Sequence, residues 1–214
     1  MKSRSAMRFV AGLWRLACAF LCFAATSVAW HTPNYWVYFT YQTGFVLGIV
    51  MLWAGAASLL NGIQPPAWLK GCLTFYIVIT GIVALTLLPP PDPATSKYVF
   101  GILTNTMLHQ AVPIIAAIDF LLFDEHRRFA WHYPLTWLIY FPFYLTFVLV
   151  RAQLWPRSGP QPDGGAYPYD FINLAKFGWV QVGSNIFFML IGFILLGLLL
   201  FIVDRILPKR PLLG

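Results

Sequence analysis

The sequence predicts an all-α integral membrane protein: a polytopic bundle of about six transmembrane helices, one domain over 1–214, with both termini cytoplasmic. Three observations carry this. Hydrophobic residues make up 59% of the chain and charged residues 10%, more apolar surface than a soluble core can hide. Six apolar runs, each near the roughly 20 residues that a helix needs to cross hydrocarbon, are separated by polar or proline-rich breaks. Lysine and arginine are distributed unevenly across the resulting loops, which sets the orientation.

The runs lie at 9–30, 35–60, 67–88, 98–123, 133–155 and 179–203. With the N-terminus inside, the cytoplasmic side receives Lys2, Arg4, Arg8, Lys70, Arg127, Arg128, Arg205, Lys209 and Arg210, with Arg15 near the boundary. Only Lys97, Arg151, Arg157 and Lys176 fall outside. This asymmetry also accounts for the net charge of +7, and no basic run interleaved with exposed aromatics points to nucleic acid. The basic start before the first run has the outline of a signal peptide, with Ser27-Val28-Ala29 as a weak cleavage site. The run from Phe9 to Trp30 is longer than a signal core, so a retained first helix is expected.

Cys18, Cys22 and Cys72 fall within apolar runs, which favours packing over a disulfide framework, and their spacing is no thiolate metal motif. No metal and no cofactor is expected. No internal repeat is visible. The segment from Trp155 to Gly178, broken by Pro156, Pro160, Pro162, Gly164, Gly165 and Pro168, reads as a long outer loop. Its Tyr167, Tyr169 and Phe171 suit the headgroup region. In the second run, Gly44 and Gly48 form a small-residue pair for close helix packing, and Thr40 lies one turn earlier on that stripe.

Of the four histidines, His31, His126 and His132 read as solvated loop or helix-end residues. His109 sits within the fourth run, where an ionisable group is costly unless paired or used; a satisfied structural histidine is the competing reading. Asn105 is one helical turn before it and Pro113 one turn after, so a kink beside the ring is expected. The sixth run presents Gln181, Ser184 and Asn185, the fifth Tyr144, Thr146 and Arg151, and the second Thr40, Gln42 and Thr43. With Asn105 and His109 these suggest a substrate cavity contributed by four helices. Arg151 and the Tyr167–Phe171 segment are expected at its mouth, where the guanidinium would hold a carboxylate. Asp119, about 15 Å along the helix from His109, is too far to orient the ring and is expected to pair with Arg127 or Arg128. Asp204 with Arg205 reads as an interfacial helix end.

A single intramembrane histidine does not supply the pair that carries haem between helices. No G-x-S-x-G elbow, H-E-x-x-H helix or P-loop occurs. One intramembrane acid, Asp119, is few for a proton-coupled transporter.

The stretch Tyr38-Phe39-Thr40-Tyr41-Gln42-Thr43, followed by Asn105-x-x-x-His109 with Pro113 and Asp119, resembles the androgen-induced family of multi-span membrane hydrolases. The likeness is to its bacterial six-helix branch. The helix from Trp137 to Arg151 and the Tyr167-Pro168-Tyr169-Asp170-Phe171 loop fit the same pattern, so the resemblance runs from about Trp36 onward. It implies an inner-membrane enzyme that hydrolyses a lipid ester, of the fatty-acid-ester-of-hydroxy-fatty-acid type. The nucleophile would be Thr40 and the base His109, with Asp119 standing where animal members have Glu. A neutral histidine of pKa about 6.5 can take a threonine proton near neutral pH. Asn105, Ser184 and Asn185 are candidate oxyanion donors. The run boundaries put Thr40 about 10 Å nearer the outer surface than His109, which leaves Thr43 as an alternative nucleophile. A lipid or small-solute binding or transport protein, or a structural subunit, is the competing class; the expected partners are membrane lipid and a lipid-like ester.

Overall fold

The computed structural model describes residues 2–92, 96–161 and 163–213. Pro162 and the side chains of Lys2 and Arg4, used in the loop and charge readings, lie outside the described residues. Six helices among the described residues are long and apolar enough to cross a membrane: α1 (Ala6–His31), α2 (Phe39–Leu60), α3 (Ala67–Thr86), α4 (Thr104–Phe123), α5 (Tyr133–Leu154) and α6 (Leu174–Ile206). They match the six apolar runs. An even number of antiparallel crossings puts both termini at one end of the bundle, called here the terminal end.

Small residues decide the closest packing, because helices in lipid gain most from backbone approach. A methyl group on Gly48 would lie 2.9–3.1 Å from the Phe23 ring and Cys22 Cβ of α1. Lower down, Gly12 and Gly55 face each other: a methyl on Gly55 would sit 3.1 Å from the Gly12 carbonyl oxygen. The glycine stripe of α2 is therefore its α1-facing side. Cys18, Cys22 and Cys72 are buried free thiols.

Helix α4 departs from the sequence reading in two ways. Its run does not begin at Tyr98, because Tyr98–Val99 and Ile102–Leu103 pair as a two-stranded antiparallel hairpin, β1 and β2. The turn between them holds Phe100 and Gly101 at positive φ, as a two-residue hairpin requires. Then Met107–Ala111 widen into a π-helical turn. Pro113, with no N–H, cannot serve the His109 carbonyl, and the ladder opens just before it. Gly81 of α3 lets the widened turn come close: a methyl there would lie 3.2 Å from the His109 carbonyl oxygen and 3.1 Å from Pro113 Cβ.

Helix α5 tightens to a 3-10 turn at Trp137–Ile139. The Tyr76 hydroxyl donates to the Trp137 carbonyl at 2.6 Å, and the fully buried Trp137 indole donates to the Trp68 carbonyl at 3.1 Å. An aromatic core surrounds this point, with Phe75 stacked on Trp137 and Phe39 stacked on Phe141. Helix α6 is the outermost element; 6% of its most apolar window is buried. Gly178 breaks it at φ 70°, ψ 174°, so the membrane-crossing part starts at residue 179, where the apolar run was placed.

The terminal end holds a buried ionic network that differs from the expected pairing of Asp119 with Arg127 or Arg128. Asp119 is fully buried and accepts from Arg15 Nε at 2.9 Å and from Lys70 Nζ. Asp124, just beyond α4, accepts from Arg15 at 2.8 Å and from Lys70. Arg127 instead donates to the Leu207 carbonyl and Arg128 to Glu125. Two cations from α1 and α3 thus clamp the end of α4, a three-helix contact that runs of hydrophobicity do not reveal. His126 and Asp204 also differ from their reading as solvated or interfacial groups: they are 2% and 0% exposed, 3.8 Å apart. Asp204 holds the Phe129 N–H at 3.0 Å and so ties the α4–α5 connection to α6.

Candidate active site

Thr40 and His109 line the same cavity, of about 300 Å³, at the end of the bundle opposite the termini. Its remaining wall is almost wholly apolar, drawn from α3 (Ile79, Val83), α5 (Leu138, Phe141, Leu145) and α6 (Ile186, Met189, Phe193). Tyr169 and Phe171 of the long loop complete it.

The depth difference between the two residues is smaller than the run boundaries imply. Thr40 is the second residue of α2 and His109 the sixth of α4, and both helices start at this end. At 1.5 Å per residue the offset is about 6 Å.

The His109 ring is fixed by one contact. Its Nδ1 lies 3.0 Å from the Thr80 carbonyl oxygen, an acceptor only, so Nδ1 carries the proton. Nε2 is then the unprotonated nitrogen. Thr80 spends its hydroxyl on the Ile77 carbonyl at 2.7 Å. Position 81 being glycine is what allows this stretch of α3 backbone to reach the π-turn.

Thr40 sits in the first turn of α2, where the leading N–H groups lack helical partners. Tyr38, the residue before the helix, provides no side-chain cap. A distant tyrosine takes over. Tyr144 accepts from the Phe39 N–H at 3.2 Å and donates to the Val37 carbonyl at 3.0 Å. The buried Tyr169 side chain lines the cavity beside Thr40 and Tyr144, next to the first turn of α2. Burial pushes the Tyr169 phenol above its ordinary range, so it stays protonated and can donate. The positive end of the α2 dipole points at the same spot.

Thr43 is buried but does not line the cavity; its hydroxyl is returned to its own helix, on the Phe39 carbonyl at 2.9 Å. Of the other expected cavity residues, Tyr144 is present and Asn105, Arg151, Gln181, Ser184 and Asn185 are not. Asn105 was placed on the His109 face by α-helical spacing, and the π-turn between them breaks that register. Arg151 does not offer its guanidinium to a carboxylate at the mouth. It donates to the carbonyls of Gly159, Ala166 and Ser158 at 3.0–3.2 Å, organising the loop. Thr146 shares a separate shallow depression with Arg151. The polar face of α6 serves the loop as well: Gln181 donates to Asn185, and Asn185 donates to the Phe171 carbonyl, each at 2.9 Å. Gln42 is engaged by Tyr140 and donates to the Trp36 carbonyl.

Tyr169 is the residue the sequence reading left in the headgroup region. Its sequence signal is its place in the Tyr167–Phe171 stretch of the proline-rich loop. Comparison with protein-family models, curated proteins and solved structures finds no match for this chain. Its function has to be read from the cavity itself.

Proposed function

We propose that the chain is an intramembrane hydrolase that cleaves a lipid ester, with Thr40 as nucleophile and His109 as general base. The observation that carries the reading is the shared cavity, in which the Thr80 carbonyl leaves His109 Nε2 free to accept a proton. Likeness to the androgen-induced family supports it by matching the same two residues.

In this reading His109 Nε2 takes the Thr40 proton as the threonine oxygen attacks the ester carbonyl. The developing oxyanion forms beside the Tyr169 hydroxyl and the positive end of α2, which replace the candidate donors Asn105, Ser184 and Asn185. Protonated His109 then gives its proton to the departing alcohol, and water, activated by the same nitrogen, releases the acid from Thr40. The apolar wall suits an acyl chain. Pro142 of α5 and Leu190 of α6 line the cavity and are exposed, which favours entry of a lipid between those helices. An orientation with cytoplasmic termini, in a bacterial inner membrane, would put the cavity in the outer half of the bilayer.

The test is a fluorogenic acyl ester assay on purified protein. Thr40→Ala and His109→Ala should each lower kcat by roughly 10²–10⁴-fold. Because the pair acts as a unit, the double variant should lose little more. Both changes remove polar groups from a membrane site, so helicity and monodispersity should persist. Full activity in Thr40→Ala, or no activity in the wild type with binding retained, would replace the enzyme with a lipid-binding protein.

A further inference from the structure

At the terminal end, far from Thr40 and His109, the bundle holds a second and larger cavity of about 560 Å³. Its character is opposite to the first. Five cations line it, Arg8, Arg15, Lys70, Arg128 and Arg210, against the carboxylates of Asp124 and Glu125. Counting Asp119, which lies behind Arg15 and Lys70, five positive groups face three negative ones and two positive charges remain unbalanced.

The hydrogen bonds locate that excess. Arg15 is saturated: its donors go to Asp119, Ser58, Gln64, the Phe123 carbonyl and Asp124. Lys70 is not. It is 6% exposed, and its ammonium has three donors, of which Asp119 and Asp124 take two. A buried ammonium with an unused donor, lining a cavity, calls for an acceptor there. Around the rim, Arg210 has no hydrogen-bond partner among the described residues. Arg128 reaches Glu125 at only 3.4 Å, and Arg8 reaches the Ala57 carbonyl at 3.5 Å. These are long contacts that leave most guanidinium donors free.

Arg15 reaches the cavity floor from inside α1, and the other groups stand at helix ends. Arg8 is near the start of α1, Lys70 is in the first turn of α3, Asp124 follows α4 and Arg210 follows α6. The cavity is therefore at headgroup depth, where basic pockets between membrane helices take phosphorylated headgroups. Arginine forks match phosphate oxygens two at a time, and a dianion balances two charges.

We infer that this terminal-end cavity is a binding site for a phosphate monoester group, seated on Lys70 and held by Arg8, Arg128 and Arg210. The group belongs to a lipid headgroup or to a soluble phosphate compound. This inference is independent of the hydrolase reading, since no residue is shared.

The experiment uses the full chain in phosphatidylcholine nanodiscs. In one arm inorganic phosphate and glycerol 3-phosphate are titrated by calorimetry. In the other, retention of phosphatidate, against phosphatidylglycerol at equal charge, is counted by native mass spectrometry. Saturable binding in the first arm identifies a soluble ligand, and selective retention of phosphatidate in the second identifies a lipid; either supports the site. Arg128→Gln and Arg210→Gln lie on the exposed rim and should fold normally, each weakening the binding about tenfold. Lys70→Met should abolish it, and the two rim variants decide the matter if that protein does not fold. No binding in either arm overturns the site. So does equal retention of both anionic lipids without saturable binding in the first arm, or wild-type binding by the Arg128→Gln/Arg210→Gln double variant.

Discussion

Removing the charge of Asp119 should destabilise the bundle well beyond the cost of breaking a surface ion pair. Its carboxylate has no exposure and accepts charge-assisted hydrogen bonds from Arg15 and Lys70, themselves 5% and 7% exposed at their side chains. In the intact network, two cations face Asp119 and Asp124. With Asp119→Asn one carboxylate must serve both, and a buried positive charge is left uncompensated. Breaking a buried pair from one side costs about 3–5 kcal/mol, most of it the desolvation of the stranded partner. Adding Lys70→Met restores a one-to-one balance of Arg15 with Asp124. The double variant should therefore be more stable than the two single losses predict, by about 1–3 kcal/mol. Unfolding in mixed micelles with increasing denaturing detergent, followed by tryptophan fluorescence, measures all three free energies. A cost below about 1 kcal/mol for Asp119→Asn, the level of a surface pair, would refute the assignment of these charges to a desolvated network. Strict additivity of the two changes would refute their coupling.

Three other perturbations address the cavity and its covering. Gly178 occupies a conformation nearly closed to side chains, so Gly178→Ala should cost about 1–3 kcal/mol, read by the same unfolding assay. Asn185→Leu removes the donor that holds the Phe171 carbonyl; hydrogen exchange in the 156–173 loop should accelerate and KM for an ester substrate should rise while overall helicity is unchanged. The proposed topology predicts opposite signals from reporter fusions placed after Arg128 and after Gly164, and equal signals would rule out the six-span arrangement.

Six apolar helices, their centres and their fitness to cross a membrane are legible in the amino-acid sequence. Each apolar run satisfies its own backbone and needs only lipid around it, so those features are local. The α2 packing face was equally legible, because small residues at helical spacing are a local signal. Which polar residues meet depends on how the helices pack. α-Helical spacing predicts Asn105 beside His109, but a π-turn breaks that register. Level in the membrane predicts Arg151, Gln181 and Asn185 at the cavity, where none of them lies. Arg151 and Asn185 hold loop carbonyls instead, and Gln181 braces Asn185, because those carbonyls need donors. Thr43, the alternative nucleophile, is bonded to its own helix, whereas Thr40 lines the cavity. The acceptor that sets the His109 tautomer is a backbone carbonyl, which every residue possesses and no sequence pattern marks. The partners of Asp119 come from α1 and α3, distant in the chain. Hydrophobicity is additive along a sequence and can be read from it, whereas a hydrogen bond between helices depends on rotation and depth that only packing sets.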